Sequence, residues 1–356
     1  MESEISVVKA IDCEKAEEFL NELQPRSDHF KNLHVGGFPK PTEQHIFRGH
    51  EDDRFELVPR ALRIGSPSIK LKLRGVWGSV HADPDAENKE KFVEHRHGTV
   101  TTANWKNRDQ VSAEVLMLSD FFRFADESGL ALPEDSRKFR AGLLDPFLNR
   151  LSEGKRDQEI RNWPPSKLLS LMGLAQHYGV PTRLLDWTRS AYTAAYFAAR
   201  SAAASRDLTV SHLSVWAFNM EAYNVRRETA YPFGNRGNEY VKIITVPTAS
   251  NPNLRFQRGL FTLYQPKQLL AGGRVDRVPL NEVIKPFGVV PLFKRFRLPV
   301  SEAGTLLRLL FLEGVSGASI FAGFRGAAEA TTEQVYWDWW DRPGDIWKRF
   351  PASIFD

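Results

Sequence analysis

The chain has 356 residues, 42% of them hydrophobic and 26% charged, with a formal net charge of +4. At roughly 150 residues per domain this means two domains or one large one, with material for a sizeable core. The mild basic excess admits an anionic partner without demanding one, and the single cysteine, Cys13, excludes disulfides within the chain, a CxxC redox centre and multi-cysteine zinc sites.

The acidic start Met1-Glu2-Ser3-Glu4 is unlike a secretory leader. Residues 16–23 have amphipathic helical spacing and are followed by a polar turn with Gly36-Gly37, so residues 1–40 read as an N-terminal helical extension. Residues 44–49 read as a strand that ends at Gly49. From about 65 to 110, charge, glycine, histidine and small polar residues give the composition of a surface insertion, partly disordered. Ser112 is a candidate N-cap, with Glu114 in the first turn, Val115, Leu118, Phe122 and Ala125 on one stripe, and Gly129 as the stop. Leu168, Leu171, Met172, Ala175 and Tyr178 share a second helical face closed by Gly179. Val180-Pro181 then forces extended backbone, which predicts a short strand over 182–187. Thr188 or Ser190 can cap an alanine-rich helix, Ala191–Ala204, which carries Arg200 and falls short of the ~20 residues a bilayer needs. A cytoplasmic protein with no membrane partner is therefore expected. Strands are predicted over 213–218, 240–246 and 254–264, and a helix around Leu306, Leu309 and Leu310 before Glu313-Gly314. The tail, 331–356, holds Trp337, Trp339, Trp340 and Trp347, suited to docking on the body or to an interaction patch.

Three constellations carry candidate chemistry. In Phe47-Arg48-Gly49, a strand-end arginine can reach a phosphate or carboxylate while the glycine lets a ligand approach; a surface ion pair beside a turn is the plainer alternative. The same tripeptide recurs at Phe324-Arg325-Gly326. The second constellation runs from Gln176-His177 through Thr182-Arg183-Leu184-Leu185-Asp186-Trp187-Thr188. On an extended segment Thr182, Leu184 and Asp186 share one face and Arg183, Leu185 and Trp187 the other. Its alternative is a buried ion pair, Arg183 with Asp186, holding a corner. In the third, a strand through Arg255, Gln257 and Gly259 would present polar side chains and a glycine on one face, either lining a cleft or simply solvated. The chain has no P-loop, dinucleotide glycine fingerprint, HExxH or GxSxG motif. His95 and His97 alone are a poor metal site.

In this order the motifs resemble the FRG domain family, named for its Phe/Tyr-Arg-Gly tripeptide. The resemblance rests on Phe47-Arg48-Gly49, Glu114 ahead of Leu116 and Phe121, and the block from Gln176-His177-Tyr178-Gly179 through Thr182-Arg183-Leu184-Leu185-Asp186-Trp187-Thr188 to Ala194-Ala195-Tyr196-Phe197-Ala198. Asn253-x-Arg255-x-Gln257-x-Gly259-x-Phe261 and the pattern from Leu306 to Phe321 complete it. It implies a domain over 41–330 and an α+β fold like that of Arg-Ser-Glu ADP-ribosyltransferases, with a split, bent sheet and flanking helices.

The implied function is an NAD-dependent ADP-ribosyltransferase or NAD-cleaving toxin in bacterial stress or anti-phage defence. NAD would be a dinucleotide substrate, and the acceptor a protein or nucleic acid. A non-catalytic nucleotide- or nucleic-acid-binding sensor is the alternative. On this reading Arg48, Glu239, Gln257 and Asp186 are catalytic candidates, with Arg48, Gly49, His177, Thr182, Arg183, Thr188 and Arg255 around the NAD. Gln257 falls nearest the expected glutamate but carries no charge. Glu239 therefore ranks first for the chemistry, and Asp186 first for fold integrity.

Overall fold

A computed structural model describes residues 7–30, 45–63, 91–95, 98–101, 105–143, 160–205, 209–230, 240–246, 252–265, 269–270, 272–287 and 291–337. In chain order, β1 (Val8–Asp12), α1 (Ala16–Leu23) and β2 (His45–His50) precede β3 (Lys91–His95) and β4 (Gly98–Thr101), which pair with each other in a separate two-stranded sheet. Next come α2 (Asn107–Glu127), α3 (Arg137–Leu143), α4 (Leu169–His177), β5 (Leu185–Thr188), α5 (Ala191–Ala204), β6 (His212–Asn219), α6 (Met220–Ala230) and β7 (Tyr240–Ile244). The chain continues with α7 (Pro252–Phe256), β8 (Gly259–Gln265), α8 (Leu280–Ile284), β9 (Phe293–Pro299), α9 (Ala303–Leu312), α10 (Gly317–Ile320) and α11 (Gly323–Glu333). The fold class is α+β.

Seven strands form one mixed sheet in the order β1-β9-β6-β2-β5-β8-β7, with β1 parallel to β9 and every other neighbour antiparallel. Alternating side chains supply its two faces. Phe47, Val215, Ala217, Phe296 and Leu298 pack under α1, α5 and α9, while Ile46, Trp187, Phe218, Leu260 and Phe293 form a core on the opposite face. A third core joins α2 and α4 to Leu184, Phe261 and Leu263. Leu184 and Leu185 thus enter different cores, as extended alternation requires.

The sheet is nearly divided. Between β2 and β5 the ladder shrinks to one pair, Phe47 opposite Thr188, whereas β2 is fully paired with β6 and β5 with β8.

Several expectations need revision. The N-terminal segment is no appendage, because β1 completes the sheet edge and α1 buries Ala16, Phe19, Leu20 and Leu23. Helix α2 begins at Asn107, where the Asp109 carboxylate accepts the Lys106 N–H (3.1 Å); Ser112 lies inside the helix and donates to the Arg108 carbonyl (2.6 Å). Trp105, Asn107 and Gln110 are buried, so the insertion ends before them. The expected strand over 254–264 is two elements. Leu254, Arg255 and Phe256 belong to α7, a turn with Arg258 at φ +48° follows, and β8 starts at Gly259. Strand β9, paired on both sides by β1 and β6, was not anticipated: its Phe-Lys-Arg-Phe-Arg-Leu pattern hides strand alternation among cations. Trp337 docks on the body, buried against Phe311, while Trp339, Trp340, Trp347, His97 and most of the insertion lie outside the described residues. Among the described residues no helix is long and apolar enough to cross a membrane.

Two buried histidines make stability depend on acidity. Burial pushes His45 down to about 4. His50 lies well below its ordinary value through burial and the nearby Arg48, Arg63 and Arg295 charges. The native state therefore binds fewer protons than the unfolded chain once pH drops below the unfolded value of ~6.5. Stability is retained in full above that pH and lost as pH falls toward about 4. Urea midpoints should decline from pH 7 to 5, and His45→Phe should flatten part of the decline.

Candidate functional site

A cleft of about 340 Å³ opens beside the sheet's division, bordered by β2, β5, the ends of α4 and α7, and residues from α5 to α11. Its polar border comprises Arg48, Gln176, His177, Asp186, Thr188, Gln257 and Arg325, and its apolar walls include Phe47, Phe197, Leu254 and Phe321. Arg48, Asp186 and Gln257, far apart in sequence, therefore meet as the motif reading requires.

Arg48 spans the gap where ladder bonds stop. Its Nη1 donates to the Asp186 carbonyl at 2.8 Å and lies 3.5 Å from the carboxylate Oδ2. Its Nε donates to His50 Nε2 at 2.9 Å, and His50 Nδ1 stands 3.2 Å from the Phe55 carbonyl. That pair of contacts requires the neutral tautomer with hydrogen on Nδ1, consistent with the strongly lowered His50 pKa. Among the described residues Arg48 Nη2 has no hydrogen-bond partner, so part of the fork remains for a ligand.

Asp186 is held from its other side. Gln176 Nε2 donates to Oδ2 at 2.9 Å, while Gln176 Oε1 accepts from the Thr182 N–H (3.1 Å) and hydroxyl (2.8 Å). Thr182 is thus a buried brace that fixes Gln176, one step behind the cleft rather than in it. Thr188 borders the cleft, but its hydroxyl donates to the Gln257 carbonyl (2.7 Å) and accepts from the Ser190 N–H (3.0 Å). It ties β5 to the turn before β8 and to the cap of α5, where Ser190 Oγ accepts the Thr193 N–H. The Gln257 amide borders the cleft without a side-chain partner among the described residues. His177 lies below its ordinary pKa because of burial, an effect the Asp186 charge opposes and Arg325 reinforces, and its Nε2 is buried without a partner among the described residues.

Other expected site residues sit elsewhere. Arg183 does not pair with Asp186. It turns into the interior, where Nε and Nη2 donate to Glu114 at 2.8 and 2.9 Å. Arg255 is exposed on α7 and does not border the cleft, because the chain there is helical rather than extended. Glu239 lies outside the described residues; Tyr240 pairs with Gln265, at the end of β8 opposite the cleft-lining Gly259. Gly49, by contrast, borders the cleft and also serves packing. A Cβ there would stand 2.0 Å from the Ala194 carbonyl oxygen and 2.9 Å from the Ala198 nitrogen, so β2 approaches the alanine face of α5 too closely for any side chain. Gly259 likewise makes room for Leu254. Gly49→Ala should cost about 3 kcal/mol, the upper end for overpacking, read as a lower urea midpoint; an unchanged midpoint would contradict this packing role.

Sequence reasoning missed Arg325 as a border residue and Gln176 as the orienter of Asp186. The signal for Arg325 was the repeated Phe-Arg-Gly tripeptide. Among the described residues no group of three or more His, Cys, Asp or Glu side chains is placed to hold a metal.

No curated protein and no solved structure is matched by this chain. The FRG domain family model matches residues 103–207, the stretch from the approach to α2 through α5 that carries Glu114, Gln176, Arg183 and Asp186 and stops short of Arg48 and Gln257. That segment, under a third of the chain, is similar to the FRG domain and supplies Gln176, His177, Asp186 and Thr188 to the cleft.

Proposed function

We propose that the cleft binds NAD as substrate and breaks its nicotinamide–ribose bond, passing the ADP-ribosyl group to water or to a protein or nucleic-acid acceptor. One observation carries the reading. Arg48 and Asp186 meet where the sheet parts, beside a cavity within the 300–1,000 Å³ range usual for small-molecule sites. A split sheet and a strand arginine that holds NAD are what the ADP-ribosyltransferase resemblance implies, and the nearly divided sheet and Arg48 support the reading.

In this reading the free part of the Arg48 fork holds the pyrophosphate, for which a planar guanidinium suits better than an ammonium. The bond between ribose C1′ and the nicotinamide nitrogen breaks with its electron pair leaving on nicotinamide, which departs neutral. The positive charge then developing on the ribosyl ring is stabilised by the Asp186 carboxylate, aimed by Gln176. An acceptor oxygen or nitrogen adds to C1′ and gives up its proton. His177, kept neutral by burial, borders the cleft and can take that proton. A setting in bacterial stress or anti-phage defence belongs to the same proposal and rests on the family resemblance alone.

A second reading, ligand sensing without turnover, has its own support. Arg48 and Gln176 both bear on Asp186 Oδ2, and Gln257 offers an amide where a catalytic glutamate is expected. Titration calorimetry with NAD, followed by assay of released nicotinamide, separates the two. Heat with release supports the enzyme, and heat without release the sensor. No heat and no release overturns both as readings of NAD. A nucleic-acid sensor would instead bind oligonucleotides with an affinity that collapses as salt rises.

A further inference from the structure

The tripeptide that supplies Arg48 occurs a second time, and the fold brings both arginines to one cleft. Arg48 borders it from β2 and Arg325 from the first turn of α11. Both glycines serve packing: a Cβ on Gly326 would lie 2.2 Å from the Phe321 carbonyl oxygen, as one on Gly49 would strike α5. The two arginines differ in what holds them. Arg48 is tied to Asp186 and His50, whereas Arg325 lies over the Phe321 ring, 4.6 Å from its centroid, and has no carboxylate partner among the described residues. Glu329, one helical turn on and the natural i,i+4 partner, is engaged by Arg200 at 3.4 Å.

Among the described residues no carboxylate neutralises that cation. It sits in the first turn of a helix, where the backbone dipole disfavours positive charge. It is also exposed, so it anchors no core. Its guanidinium carbon lies over the ring of Phe321, itself a cleft wall, and none of its N–H groups is held by a carboxylate among the described residues.

We propose that Arg325 is a second anion-binding residue of the cleft, contacting the same pyrophosphate as Arg48 from the opposite wall. The inference rests on the NAD reading and adds to it the ligand class: a diphosphate linked to a nucleoside, held by two arginines of which one is pre-set and one is free to close.

Calorimetry with ADP-ribose and with adenosine, on the full chain, tests it. Arg325→Gln should weaken ADP-ribose binding about tenfold or more, as loss of a charge-assisted hydrogen bond implies, and leave adenosine binding unchanged. Arg325→Lys should restore part of the loss. Phe324→Ser, in the same turn but 96% exposed and not bordering the cleft, is the control and should bind like the unaltered protein. Unaltered affinity of Arg325→Gln for ADP-ribose overturns the inference and leaves the NAD reading standing. Failure of the unaltered protein to bind either NAD or ADP-ribose overturns both.

Discussion

Glu114→Ala is expected to cost about 3–5 kcal/mol, the usual penalty for stripping one partner from a buried ion pair. Domains are stable by only about 5–15 kcal/mol, so the loss would remove a large fraction of the total stability. The Glu114 side chain is 1% exposed and that of Arg183 6%. Four donors converge on the carboxylate: Arg183 Nε and Trp163 Nε1 on one oxygen, Arg183 Nη2 and Gln110 Nε2 on the other, all within 2.8–2.9 Å. Gln110 also donates to the Ala61 carbonyl and accepts from Trp105 Nε1. This network joins α2 to the segments before β5 and after β2. Alanine would leave a guanidinium, an indole and an amide without their acceptor in a dry interior, where each unmade bond is expensive. Glu114→Gln should cost less, since it keeps volume and one acceptor. A double-mutant cycle with Arg183→Met, read by urea unfolding, should show strong coupling; additive losses would contradict a shared pair.

Asp186→Asn should do the reverse. Its side chain is about half exposed and its contact with Arg48 is 3.5 Å, so stability should change by no more than ~1 kcal/mol, as for other solvated pairs. Nicotinamide release should fall by about 10²–10³, the scale for losing one electrostatic stabiliser, with NAD affinity little changed, because the charge it stabilises exists only in the transition state. A variant that keeps full turnover would remove Asp186 from the chemistry. One that loses affinity and turnover alike would make it a binding residue. The division of roles expected from sequence, fold integrity for Asp186, thus passes to Glu114.

The sequence announced local structure best where one principle acted alone. Helix α1, the Gly129 and Gly179 stops, the Ser190 cap and the Ala191–Ala204 helix were legible because capping and periodicity agreed. The 254–264 stretch misled because Leu254, Phe256 and Leu260 mimic alternation, while the turn at Gln257 and Arg258 that breaks it carries no glycine or proline. Partner choice was the hardest to read. Arg183 lies three residues from Asp186, yet it sits at a bend ahead of β5 and turns inward, so the arginine finds Glu114, 69 positions away. Gly49 was read as room for a ligand, because sequence cannot say that a helix of alanines will press on it. The convergence of Arg48, Asp186 and Gln257 was foreseeable from polar residues recurring on candidate strands. Arg325 reaches the same cleft from a helix, α11, so the recurrence of its tripeptide could not by itself place it there.

The central claim is that the parting of the sheet is a dinucleotide site, and a crystal structure of the protein soaked with ADP-ribose tests it most directly. The expected result is ligand in the cleft, its pyrophosphate within hydrogen-bond distance of the Arg48 guanidinium and its terminal ribose beside Asp186. Ligand bound on another surface, or a cleft still empty at saturating ADP-ribose, would contradict it.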